Sequence, residues 1–179
     1  MDPSCFDALD RHVIGGGADR VALDAPGRRW TYAQLLEEVA AFGGVLKHCG
    51  AGPGRRVAVA LPDGPDRVVA VLACARIGAT YDLGDDPGDA PVVVTASSQT
   101  RTAEAIAAAA TPPEAVVVRH DEGSAWPLSG PHDLDWDVVM RAGRTDPAPC
   151  ADGATVSPYD ATTRAWLEPL LAGETLTVP

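Results

Sequence analysis

The sequence predicts a single α/β domain over residues 1–179, a mostly parallel sheet flanked by helices. Three observations predict it. Strand-like and helix-like segments alternate from residue 20 to residue 120. The runs "VAVAL", "PVVVTA" and "AVVV", starting at Val57, Pro91 and Ala115, are almost continuously apolar, as strands covered on both faces are. A strand followed by a crossover helix and another strand builds parallel pairing. With 179 residues, the chain is long enough to bury one real core.

The elements follow in order. "PSCFDALDRHVI" carries Phe6, Leu9 and Val13 at helical spacing, and "GGGAD" after it reads as the helix stop. A phosphate-gripping glycine loop follows a strand and opens a helix, so "GGGAD" stands in the wrong order for one. "RVALDA", the turn "PG" and "RRWTY" read as a hairpin. Thr31 to Gly50 is the clearest helix. Thr31 and Gln34 fit a capping box, and Leu35, Val39, Phe42 and Leu46 form one stripe. Gly43 and Gly44 inside it cost about 1 kcal/mol each relative to Ala, which fits close packing on a neighbour. A strand over Val57–Leu61, an apolar helix stopped by Gly78 and a short strand "TYDLG" follow. Then come the strand "APVVVTA", the Ala-rich helix "SQTRTAEAIAAAA" and the strand "PPEAVVVRH". Residues 121–133 read as a loop. "DLDWDVVMRAG" reads as a short amphipathic helix with Leu134, Val138 and Met140 or Arg141 near one face. Residues 144–160 read as a linker, "RAWLEPLLAG" as a helix and "ETLTVP" as a last strand.

Composition narrows the function classes. The net charge of −11 disfavours nucleic acid and anionic membranes as partners. No apolar run approaches a membrane span, and "MDPSCFDALDRHV" lacks the pattern of a signal peptide. The four cysteines, Cys5, Cys49, Cys74 and Cys150, are scattered without a CxxC pair. They read as reduced, mostly buried thiols of a cytoplasmic protein.

The chemical candidates are few. "YDLGDDPGD" groups Asp82, Asp85, Asp86 and Asp89 near a strand end, where α/β sheets bind ligands. Asp85 and Asp86 are its metal-ligand candidates, although the spacing fits no standard metal loop and a solvated turn is the plainer reading. His12, His48, His120 and His132 show no triad or zinc spacing. Trp30, Trp126, Trp136 and Trp166 are too spread for a stacking platform and read as packing residues.

The words "CFDALDRHV", "DRVAL", "WTYAQLLEEVAAFGGVLKHCGAGPGRRVAVALP", "RVVAVLACARIGA", "VVVTAS" and "DLDWDVVMRAG" stand in one order over residues 5 to 150. In this the chain resembles the N-terminal part of the acyl-adenylate-forming (AMP-binding) enzymes, specifically the acetyl- and propionyl-CoA synthetases. "PLLAGETLTV" resembles a later helix and strand of that family. The resemblance implies the first subdomain of such an enzyme, truncated. It also implies a chemistry in which ATP and Mg²⁺ adenylate a carboxylic acid before transfer to CoA. The family's phosphate loop is a Ser/Thr/Gly-rich run ending in Pro-Lys-Gly, with backbone N–H groups cradling phosphate.

The chain departs from that pattern in three places. "CADGATVSPYDATTRAW" stands where the phosphate loop is expected but has no such run, and Lys47 is the single lysine of the chain. The family's adenine-binding segments and the domain carrying its catalytic lysine are expected to be absent. A longer glycine-rich turn that helps to seat CoA in the family is here "DDPGDA". Arg101 matches a family arginine that contacts a CoA phosphate, while a second arginine position holds Glu104.

The sequence therefore predicts a noncatalytic, pseudoenzyme-like protein that binds a protein partner or itself. No catalytic residue and no metal are expected, and CoA is the one cofactor the resemblance leaves open. Two other readings stand beside this one: a CoA- or acyl-binding module anchored by Arg101, and a reassigned or partner-dependent enzyme of acyl activation using acidic residues near Asp85 and Asp86.

Overall fold

The computed structural model describes residues 5–127, 130–151 and 160–179. The chain opens on helical turns with π-type hydrogen bonding, Phe6–Asp10 and Val13–Gly17. Strands β1 (Val21–Ala25) and β2 (Arg28–Thr31) pair antiparallel as the predicted hairpin. Helix α1 (Tyr32–His48) follows, then β3 (Arg56–Ala60), α2 (Pro65–Ile77), β4 (Thr80–Leu83), β5 (Val92–Ala96), α3 (Thr100–Ala108) and β6 (Ala115–Arg119). The chain continues with β7 (Asp133–Asp135), α4 (Trp136–Gly143), α5 (Ala161–Ala172) and β8 (Leu176–Thr177).

Five of the strands form one sheet in the order β4-β3-β5-β6-β7, and all its pairings are parallel. This is the expected fold class: a mostly parallel sheet flanked by helices. The second, smaller sheet has the order β2-β1-β8, with β8 parallel to β1.

Period-two alternation sorts the sheet's side chains onto two faces. Val57, Val59, Val92, Val94 and Val117 enter the main core, with α1, α2, α4 and α5. Ala58, Val93, Val116 and Val118 face a smaller cluster to which Ile106 of α3 adds. The apolar runs of β5 and β6 thus reflect cover on both faces, and β5 is buried throughout.

Local chemistry fixes the helix ends. The Thr31 hydroxyl accepts from the Gln34 N–H and the Gln34 side chain accepts from the Thr31 N–H, which closes the capping box. Gly78 ends α2 at φ 72°, a left-handed turn that a Cβ would strain.

Three local expectations shift. The glycines of "GGGAD" do not follow the first helix but form its last turn, with Gly16 taking φ 88° inside it. "DLDWDVVMRAG" is not one helix. Asp133–Asp135 pairs with β6, and the Asp135 carboxylate then accepts from the Val138 N–H at 2.9 Å, so the helix begins at Trp136. The buried side of α4 is accordingly Trp136, Met140 and Gly143, while Val138 is exposed. Finally, the first part of the 144–160 stretch is strapped down. The Ala148 N–H donates to the Ala40 carbonyl at 2.8 Å and the Ala151 N–H to the Arg76 carbonyl at 2.7 Å. The Arg76 side chain donates in turn to the Ala148 carbonyl at 2.7 Å. Residues 152–159 lie outside the described residues.

Candidate functional site

An open parallel sheet offers a ligand site at the carboxyl ends of its strands, where the chain order reverses. Here the chain runs from β3 to β4 on one side and returns past β3 to β5 on the other. The relevant edge is therefore built by the residues just after β3, β5 and β6, together with the first turn of α2.

Five side chains close that edge. Arg119, at the end of β6, donates from Nε to Asp66 Oδ2 of α2 at 2.8 Å and from a terminal nitrogen to the His120 carbonyl at 2.7 Å. After β5, the Ser97 hydroxyl accepts from the Asp121 N–H at 2.8 Å, and the Ser98 hydroxyl donates to the Asp121 carboxylate. The network holds two carboxylates and one guanidinium. Its polar groups satisfy one another, and its formal charge opposes an anionic ligand. Sequence reasoning missed Asp66, Ser97, Ser98, Arg119 and Asp121. The signal available was their place, each at or just beyond the end of a predicted strand or at the start of the next helix.

The acidic candidates lie on the crossover from β4 to β5, which has no helix. Asp85 meets Arg101 at 3.6 Å, and its carbonyl accepts from the Thr102 hydroxyl at 2.8 Å. Asp86 accepts the Gly88 N–H at 2.9 Å, which folds the turn on itself. Arg56 donates to Asp82 at 2.9 Å and also to Asp89. Asp85 and Asp86 thus face different partners instead of converging. Among the described residues, no three His, Cys, Asp or Glu side chains are grouped to hold a metal ion. Arg101 sits in the first turn of α3 with 82% of its side chain exposed and pairs with Asp85, while Glu104 is exposed further along the helix.

His120 faces Asp135 at 3.5 Å and His48 faces Asp146 at 3.8 Å, both at the surface. Trp136 stacks on Phe42 with ring centroids 4.2 Å apart, as a packing residue should, and Trp30 lies under the Arg28 guanidinium.

A cavity of about 620 Å³ lies at the opposite edge of the sheet, between the end of α1 and α4. Val45, Cys49, Leu134 and Val139 give it an apolar lining, and His48 and Glu114 are polar groups at it. Burial pushes the Cys49 thiol up to about 11, so it stays protonated and is a poor nucleophile. Size alone does not make this the functional cleft, because the fold's ligand edge is the carboxyl one. There a smaller cavity of about 290 Å³ is lined by Asp63 after β3, Arg67 of α2 and Leu83 of β4, and by Thr163, Trp166 and Val178 from the C-terminal segment.

This geometry can be set beside known proteins. The family model described as AMP-binding enzyme matches residues 10–129. The chain is 32% identical over 171 residues to the acetyl-coenzyme A synthetase of Syntrophus aciditrophicus, covering 80% of this chain and 26% of that enzyme. It is 46% identical over 84 residues to the acetyl-coenzyme A synthetase of Xylella fastidiosa, covering 43% of this chain and 13% of that one. The chain thus spans about a quarter or less of the length of these relatives. The crystal structure of a Brucella canis acyl-CoA synthetase shares the fold, with a TM-score of 0.71 at 21% identity over 99% of this chain and 43% of that one. Because the family model matches well over half of the chain, and on the segment that builds the five-stranded sheet up to β6, the chain belongs to the AMP-binding enzyme family.

Proposed function

We propose that this chain is a noncatalytic, pseudoenzyme-like relative of the acyl-CoA synthetases, acting in the cytoplasm by binding a protein partner and not by adenylating a carboxylic acid. The observation that carries this reading is the composition of the 144–160 stretch. It contains no lysine and no Ser/Gly/Thr run, although the strap at its start and α5 after it are packed into the domain. Lys47, the one lysine, is on the last turn of α1, at the edge of the sheet away from the carboxyl ends. The carboxyl-edge groups are engaged with one another, and Arg67 is paired with Asp63. A phosphoryl-handling site works by clamping developing charge with Lys, Arg or Mg²⁺, and loss of such a clamp costs orders of magnitude in rate.

Pyrophosphate exchange tests the reading. The chain is incubated with ATP, Mg²⁺, labelled pyrophosphate and each of a series of short carboxylic acids, beside an acetyl-coenzyme A synthetase as the positive control. Exchange at the background level is expected; exchange above it with any acid overturns the proposal.

A second reading, a CoA-binding module, has the exposure of Arg101 in its favour. Its guanidinium is held by one 3.6 Å ion pair in solvent, an interaction worth at most about 1 kcal/mol, so a phosphate can compete for it. Calorimetric titration with CoA decides this. Saturable heat that Arg101→Ala removes supports the module, and a flat titration excludes it. The third reading, an enzyme using Asp85 or Asp86, loses support from their places on an open crossover, where they face different partners.

A further inference from the structure

Two helices bring their C-terminal ends to the cavity of about 620 Å³. His48 and Cys49 close α1 there, and Ala142 and Gly143 close α4. A helix C-terminus carries roughly half a negative charge, so both ends favour a cation. Lys47 and Arg141, the long basic side chains of those last turns, are not on the cavity wall. Two carboxylates are, Glu114 and Asp146. Arg55 donates to Glu114 and offsets that charge. Asp146 faces His48, with Oδ2 3.8 Å from Nε2. His132 also lines the wall, and the Cys49 thiol adds no charge because burial keeps its proton on.

The second ring nitrogen of His48 sharpens this. Nδ1 lies 2.9 Å from the Gly44 carbonyl, which can only accept. Nδ1 therefore carries the proton, and Nε2 of the neutral ring is an acceptor. At the mouth of the cavity an acceptor nitrogen and a carboxylate oxygen thus face each other 3.8 Å apart with no proton of their own to share. A single ammonium nitrogen about 2.9 Å from each would donate to both, and such charge-assisted bonds are the strong ones.

We propose that this cavity binds a small apolar amine, its hydrocarbon body on Val45, Leu134 and Val139 and its ammonium donating to Asp146 and His48. The volume falls in the range of sites for small organic ligands, about 300–1,000 Å³. The apolar wall supplies affinity without direction, and the paired acceptors fix which end of the ligand faces out. The net charge of −11 draws cations to the protein and opposes a carboxylate or phosphate of the same size. The site stands at the amino ends of β6 and β7, away from the carboxyl edge, so it is separate from any remnant of acyl, nucleotide or CoA binding there.

Calorimetric titration of the full chain tests this with three probes that share one indole ring: tryptamine, indole-3-ethanol and indole-3-acetate. The buffer is at pH 8 and low salt, where an alkylammonium keeps its proton. Tryptamine is expected to bind saturably and at least about tenfold more tightly than indole-3-ethanol, with indole-3-acetate the weakest. Asp146→Asn should bring tryptamine to within about twofold of indole-3-ethanol and leave the latter unchanged. Ala142 is exposed, so Ala142→Phe fills the cavity from outside the core and should abolish binding of both. Amide shifts of the wild type on adding tryptamine locate the site without any variant, and Cys49, Gly50, Val139 and Asp146 are expected to move. A flat titration with tryptamine, equal affinity for the three probes, preference for the anion, binding retained in Ala142→Phe, or shifts confined to other residues overturns the proposal.

Discussion

Gly143 sets how closely α4 lies on α1. A Cβ built there would run into the Ala41 carbonyl and stand 2.8 Å from Val45 Cγ2. Gly44, on the facing helix, is as tightly placed against the Asp146 carbonyl. These contacts are with backbone, which cannot swing aside as the end of a side chain can. Gly143→Ala is therefore expected to destabilise the fold by about 1–3 kcal/mol, the usual cost of overpacking. Gly52→Ala is the control: nothing lies within 4 Å of its Cβ position, and a change within about 0.5 kcal/mol is expected. Urea denaturation of both variants measures the difference. Tyr32 supports a second prediction. Its ring is buried, its hydroxyl donates to the Glu174 carbonyl at 2.8 Å, and burial pushes the phenol up to about 12. Because the folded value lies above the unfolded value of 10.0, this contribution is fully present below pH 10 and is lost as pH rises through about 12. At pH 8, Tyr32→Phe should be less stable than wild type by about 1 kcal/mol, for the lost hydrogen bond. That gap should shrink or reverse between pH 10 and 12, where the unfolded wild type ionises its phenol while the folded protein still holds the proton. A constant gap across that window would refute the assignment.

The helix α5 decides whether the chain after the 144–160 stretch belongs to the domain or only trails from it. Its N-terminus is capped by Asp160, which accepts from the Thr163 N–H at 2.8 Å. Leu167 and Leu170 are fully buried in the main core. The carbonyls at its end are taken up by the N-terminal region, with Arg11 donating to Leu171 and Arg20 to Gly173. β8 then adds to β1. The first helix, the hairpin and the C-terminal segment therefore form one cooperative unit, although they stand at the two ends of the sequence. Leu170→Ala is expected to cost about 2–5 kcal/mol, as a cavity in a closed core does. Hydrogen exchange adds a signature: the variant should lose protection in β1 and the first helix together with α5. Loss confined to α5 would show that the segment is only an attachment. By contrast, α3 buries only Thr102 and Ala103, so its amides should exchange early in the wild type.

At the scale of the whole molecule, the sequence was legible where one local pattern sufficed. The apolar runs of β3, β5 and β6, the capping box of α1 and the glycine after α2 each carry their meaning within a few residues. β7 was not legible, because two of its three residues are aspartates and Asp135 doubles as the cap of α4. The carboxyl edge was harder still. Arg119 and Asp66 are 53 positions apart and read as ordinary surface charges until the sheet order sets them side by side. Arg101 was singled out only by the family resemblance, and its partner Asp85 is supplied by a crossover whose path no periodicity reports. The sheet order also bears on association. Its edge strands are β4 and β7, and exposed strand edges invite pairing with another copy. Here β7 is three residues long with two carboxylates, and β4 is four residues long, carrying Asp82 paired to Arg56. Among the described residues, large apolar side chains are exposed only at Phe6, Ile14 and Val138. With α5 filling the core and a net charge of −11 opposing self-contact, a monomer is expected. Sedimentation velocity at low and at high salt tests this. A monomer at both directs the search for a binding surface to contacts with a different protein. A dimer that survives at low salt, where repulsion between like copies is strongest, would instead show that this domain pairs with itself.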